Sequence, residues 1–361
     1  MKKVFVSLIF VIMLSNVLYA DIVYTASGTM GVIKISDSAD VTLSVKKNVY
    51  SDDLFVSEFY NYEDPGLILI ERNSDMTLSG DYAYIFKPDL SLEKFIYEGW
   101  LDGIYMTQSV AYSNNGRGLF FSSKLNHSIS EISTVSFNST GLNYIYSGDL
   151  SEDFAVKITA NGYALYALSD SKLKLFDGQL KDSTLLTSID VGPGANDMAI
   201  MNNSRVAIAH ESGINIYYAG YVWDLVSNDL YGNIKTVCYD EAGGLFFIGQ
   251  EDGADTIWHY TNEIFEEVYT DDTGEYSSLI YDSDKKILAA LIGNKLIFIN
   301  SSSYELVAEF DSSNLGGIPN SIAKVLTSGA DNSTKSGCNL NIYFAGLIIL
   351  LVGLKFKIIR H

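Results

Sequence analysis

Residues Val237–Ile248 read VCYDEAGGLFFI, and the reading of this stretch decides the fold. Val237-Cys238-Tyr239 and Leu245-Phe246-Phe247-Ile248 are rich in aromatic and aliphatic side chains, and a turn of Asp, Glu, Ala and Gly separates them. That pattern predicts a β-hairpin, because Asp and Gly relieve the backbone where the chain reverses. The same string recurs. It is VAYSNNGRGLFF from Val110, VKITANGYALYA from Val156, MAIMNNSRVAIA from Met198 and LIYDSDKKILAA from Leu279. The five starts are spaced 46, 42, 39 and 42 residues apart. A weaker copy runs from Phe59 through Asp64-Pro65-Gly66 into Leu67–Ile70.

Two more strand-like stretches follow each hairpin, such as Leu173–Phe176 then Leu185–Val191, or Lys295–Ile299 then Glu305–Phe310. Four strands in each unit of this length predict an all-β chain of propeller blades. Asn320-Ser321-Ile322-Ala323 resembles the inner-strand start Asn196-Asp197-Met198-Ala199 but has no second strand after it. Ile22–Ala26 supplies one from the other end. The expectation is an about seven-bladed β-propeller closed by both termini, which leaves no raw sheet edge between first and last units.

Composition agrees with strands. The chain has 25 Tyr and 18 Phe but only 4 Pro. Its 24 Lys and Arg, five of them near the ends, face 44 Asp and Glu that all lie between Asp21 and Cys338. That stretch carries a formal charge of −25, which argues against nucleic acid as a partner because counterion release needs clustered cations. The two cysteines, Cys238 and Cys338, fall in different regions and predict no structural disulfide.

The ends read as addresses. Met1–Ala20, with Lys2 and Lys3 before an apolar core and Ala20 before Asp21, predicts a signal peptide. Leu340–Leu354 is an apolar run that would rise about 22 Å as a helix. With Phe356, Ile358 and Ile359, and with Lys355, Lys357 and Arg360 at its end, it predicts a transmembrane helix. The expected domains are 1–20 signal peptide, 21–326 propeller, 327–337 polar linker and 338–361 tail.

From Ser336 to His361, the order Gly337-Cys338, apolar run, basic end resembles the Gly-Cys type of bacterial carboxyl-terminal sorting tail, the Synerg-CTERM and MYXO-CTERM class. The resemblance implies recognition by a tail-processing protease, with Cys338 retained and modified. The unit Leu165–Ser169, Leu173–Asp177 and Thr187–Gly192 looks like the YVTN-type propeller repeat found in exported bacterial proteins. That likeness implies a WD40-like fold over about residues 21–325.

Catalytic strings are sparse. No GxSxG, HExxH, phosphate-loop or GxGxxG string occurs. His210 and His259 fall at strand ends, where structural roles compete with catalytic ones. Cys238 reads as a small thiol on an inner strand. Propellers bind at the mouth where loops enter the inner strands, which here points to Gln108, Asp153, Asn196, Asp197, Lys235, Ser277 and Asn320. Carboxylates and carboxamides around one mouth suit Ca²⁺, and they equally suit solvated loop ends. On the second reading, removing Asp197 or Asn320 costs less than about 0.5 kcal/mol.

Three functions fit these residues. The first is an exported, membrane- or surface-anchored propeller in the periplasm or on the cell surface, binding a protein or small ligand on its face. The second is a metal-dependent hydrolase or lactonase, in which mouth side chains hold an ion that activates water. The third is an envelope structural protein.

Overall fold

The computed structural model describes residues between Ala20 and Val325. Outside the described residues lie 1–19, 37, 49–53, 61–64, 72–81, 87–91, 98–104, 114–117, 126–128, 137–141, 150–154, 162–163, 170, 178–184, 202–204, 219–220, 228–231, 252, 272–274 and 326–361, together with the side chains of 20–21, 45, 49–156, 160–164, 177–186, 218–232, 251 and 325. Two compact units are distinguished, Met1–Ala330 and Asp331–His361, and the second lies wholly outside the described residues.

The described residues form seven four-stranded sheets. The quoted stretch is the inner hairpin of one of them: Val237 pairs with Phe247, Cys238 with Phe246 and Tyr239 with Leu245. Its turn closes by Asp240 N–H to Gly244 O at 3.0 Å and Gly243 N–H to Asp240 O at 2.8 Å. The Asp240 carboxylate accepts the Ala242 N–H at 3.0 Å, and Gly243 sits at φ 106, where a side chain would strain the backbone.

In chain order, the inner strands of the second to seventh sheets are Leu54–Tyr60, Tyr105–Ser113, Ala155–Asn161, Ala195–Ile200, Gly232–Tyr239 and Tyr276–Asp282. From each, three further strands follow outward in sequence order, every neighbour antiparallel. The first sheet is built differently. Its inner strand is Pro319–Val325, followed outward by Ala20–Ala26, Thr29–Ile35 and Val41–Asn48. Tyr24 pairs with Ile322 and Val23 with Ala323, joining residues from opposite ends of the described chain.

Among the described residues no sheet closes into a barrel. The arrangement is propeller-like: each inner strand touches the next, and Pro319–Val325 touches both Tyr276–Asp282 and Leu54–Tyr60, so the sequence of neighbours returns to its start. The core lies between sheets. Ile287, Ala289, Leu296 and Phe298 of the seventh pack on Ile22, Tyr24, Ile33 and Ile35 of the first. Phe246, Ile248 and Ile257 of the sixth pack on Leu288, Ala290 and Ile297 of the seventh.

Tyr24 anchors the shared sheet. Its ring is fully buried, its hydroxyl donates to Leu315 O at 3.1 Å, and a Cβ added at Gly31 would lie 2.4 Å from it. Burial pushes the Tyr24 phenol up to about 12. The fold therefore holds the neutral phenol, and this contribution is complete below pH 10 and lost as pH rises toward 12, a loss of up to about 2–3 kcal/mol. Denaturant titrations between pH 9 and 12 are expected to show falling stability, with a shallower fall in Tyr24→Phe. An unchanged slope in that variant would contradict the assignment.

The expectation of a transmembrane helix is corrected here. The described helix, Ser312–Leu315, has four residues and rises about 6 Å, against the roughly 30 Å of a hydrocarbon core. Among the described residues no helix is long and apolar enough to cross a membrane. Residues 338–361, with the sorting positions Gly337 and Cys338, lie outside the described residues, as do 1–19 of the expected signal. Membrane anchorage through the tail, the membrane and a tail-processing protease as partners, and placement in the envelope or at the cell surface are therefore withdrawn.

Candidate functional site

The feature that repeats at one end of the inner strands is a slip in ladder register. It falls between Thr107 and Ser109, Ala155 and Lys157, Ala195 and Asp197, Gly232 and Thr236, and Tyr276 and Ser278. In the first sheet it falls opposite Thr25 and Ala26, passing over Asn320. Six of the seven sheets thus slip register near the start of the inner strand, by a β-bulge in five and by a wider irregularity, Gly232 to Thr236, in the sixth. A bulge leaves a residue out of the ladder and re-aims its side chain. Gln108, Asn196, Lys235, Ser277 and Asn320, chosen from sequence as mouth residues, are all residues that the register skips. The bulge itself was missed in the sequence, where its trace is a break in apolar alternation at each strand start.

Several of these groups tie neighbouring sheets. Asn196 Nδ2 donates to Asn233 Oδ1 and Ile234 O of the next sheet, both at 2.9 Å. Asp197 is buried and spans three sheets: it pairs with Lys157 Nζ behind it and accepts Thr236 Oγ1 at 2.5 Å and Val237 N–H at 3.1 Å ahead. Lys235 Nζ reaches Asp255 Oδ2 at 2.6 Å, and the same carboxylate oxygen accepts the Tyr276 N–H at 2.9 Å. Thr25 Oγ1 bonds Asn320 Oδ1 at 2.6 Å. Ser277 and Asn320 are exposed, whereas Asn196 and Lys235 are partly so. Asp153 and the side chain of Gln108 lie outside the described residues.

These contacts correct two expectations. Asp197 is no solvated loop end. Its removal would strip buried donors of their acceptor, so the expected cost below about 0.5 kcal/mol is too small. The metal-dependent hydrolase or lactonase reading is also withdrawn. Among the described residues no group of three or more His, Cys, Asp or Glu is placed to hold a metal ion, and Asp197 and Asp255 are each engaged by a lysine and a backbone N–H.

At the opposite end, where the inner hairpins turn, His259 stacks on Phe246 with centroids 4.1 Å apart and planes 15° apart. Its Nε2 is 3.2 Å from Asp240 Oδ2 and its Nδ1 2.8 Å from Tyr304 Oη of the seventh sheet. His210 is buried beside Asn215, and burial lowers its pKa. Burial, followed by the Asp197 charge, pushes the Cys238 thiol up, which disfavours the nucleophilic thiolate.

The chain is similar to several solved structures. A chain of a nidogen–laminin complex matches at TM-score 0.51 and 8% identity, over 85% of this chain and 98% of that one. The WD40 domain of Doa1 matches at 0.55 and 14% identity, over 82% and 88%. The fold is shared with WD40-like propellers. The propeller domain of Cps50 (Swd1) from Myceliophteria thermophila adds a match at 0.52 and 12% identity, over 72% and 86%. Such identities speak for the fold alone. No protein-family model matches the sequence, and no curated protein does.

Proposed function

We propose that this chain is a protein-interaction scaffold whose recognition face is the bulged end of the inner strands. The observation that carries the reading is the recurrence of a register slip at the same end of the inner strand in six of seven sheets, five of which skip a polar residue there, the fourth sheet skipping Val156. Contacts such as those of Asp197 and Asn196 hold the face rigid, which limits the ordering cost of binding. One of the similar structures is itself a two-protein complex. We also assign the repeat to the YVTN type, on Leu165–Ser169 and Leu173–Asp177.

The test is a photo-crosslinking side chain at Ser277 or Asn320 in the full chain, incubated with extract of the source cells. A discrete polypeptide adduct from these positions, absent from a control at the exposed Ser38, on the turn between Thr29–Ile35 and Val41–Asn48 at the far end of the first sheet, is the expected result. Equal adducts at all three positions, or none at Ser277 and Asn320, would overturn the reading.

A further inference from the structure

A second surface lies at the hairpin-turn end, on the rim of the sixth and seventh sheets. Four large apolar side chains are exposed among the described residues: Ile264 at 57%, Leu306 at 44%, Val307 at 37% and Ile318 at 57%. Single exposed apolar residues are ordinary. Here three of the four start two neighbouring outer strands, Ile264–Thr270 and Leu306–Asp311. Tyr304 brings these starts together, since its hydroxyl donates to Glu266 Oε2 at 2.7 Å. Glu266 is two residues from Ile264, a span of about 7 Å along the strand, and Tyr304 stands two residues before Leu306, in the turn that leads into its strand.

The rim is acidic. Glu263, Glu266, Glu267 and Glu305 are exposed around the apolar side chains, and neither 261–271 nor 300–311 contains a Lys or Arg. Lys295, which pairs with Asp271 and Glu309, engages the opposite ends of the same strands. The rim is also held in place from below by the His259, Tyr304 and Asp240 contacts. Asn262, Glu263 and Tyr304 have φ of 52, 64 and 58, a left-handed backbone that non-glycine residues adopt at a cost. Glycine would relieve Glu263, so the turn keeps an acid where conformation disfavours one.

We propose that this rim docks a protein segment in which apolar side chains alternate with Lys or Arg, the apolar groups covering Ile264, Leu306 and Val307 while the cations meet the four glutamates. The surface goes beyond the bulged face and is tested independently of it. The probe is a fluorescent synthetic peptide alternating Val and Lys, titrated into the full chain and read by anisotropy. Saturable binding is expected, weakened about tenfold or more by Ile264→Ser with Leu306→Ser, and separately by Glu263→Lys with Glu305→Lys. A Val/Glu peptide and a Ser/Lys peptide are expected to bind at least tenfold more weakly. Thermal melts of each variant confirm that it is folded. Absence of saturable binding, equal binding by the folded rim variants, or equal binding of either control peptide would overturn the proposal. Loss of binding only on substitution of Ser277 and Asn320 would also overturn it while leaving the scaffold reading intact.

Discussion

Deletion of residues 21–36 is expected to abolish the cooperative melting of the whole described unit. The deletion removes two strands of the first sheet and with them Ile22, Tyr24, Ile33 and Ile35, each 0–1% exposed. Those side chains pack on Leu296, Phe298, Leu315 and Ile322, so the seventh sheet loses one covered face and Pro319–Val325 loses its ladder partner. Burial of four such residues is worth about 6–12 kcal/mol, comparable to the entire stability of an ordinary domain. Circular dichroism melts of the truncated and full chains measure the effect. A truncated chain that retains the original transition would show that the first sheet is dispensable.

The second large effect is expected at Asp197. Replacement by Ala leaves the Thr236 hydroxyl and the Val237 N–H without their acceptor inside the protein and removes the partner of Lys157. The expected loss is about 2–4 kcal/mol, mostly from the buried donors. Lys157 keeps more than a third of its side chain in solvent, so Lys157→Met should cost much less, on the order of 0.5 kcal/mol. Urea denaturation of the two single variants and the double variant separates the terms. A loss below about 0.5 kcal/mol for Asp197→Ala would return that residue to the class of solvated loop ends.

The two positions show how far the sequence can be read. Hairpins are local, so Asp240 followed by Gly243-Gly244 announces a turn, and a period of 39 to 46 residues announces repeated units. The strand completing the first sheet was readable in Asn320–Ala323, although it begins earlier, at Pro319, and its partner begins at Ala20 rather than Ile22. The role of Asp197 was not readable, because its partners stand 39 and 40 residues away and neither carries a motif. Nor did sequence show that the polar residues at inner-strand starts are bulged, since a bulge is defined by the opposite strand. The rim of Ile264, Tyr304 and Leu306 was likewise hidden, because a hydrogen bond across 38 residues brings it together. The terminal reading went further than the described structure supports, since an apolar run specifies a helix only by context.

The hydrogen bond from Tyr24 to Leu315 spans 291 residues. At a translation rate of about 5–20 residues per second, the strand Ala20–Ala26 waits roughly 15 to 60 s on the ribosome before its inner partner is made. Throughout that interval it offers an unpaired apolar edge, which a second nascent chain can occupy by exchanging its own Pro319–Val325. Strand exchange between newly made chains is therefore expected to rise with their concentration. Intertwined dimers formed in crowded synthesis are the natural failure of this architecture.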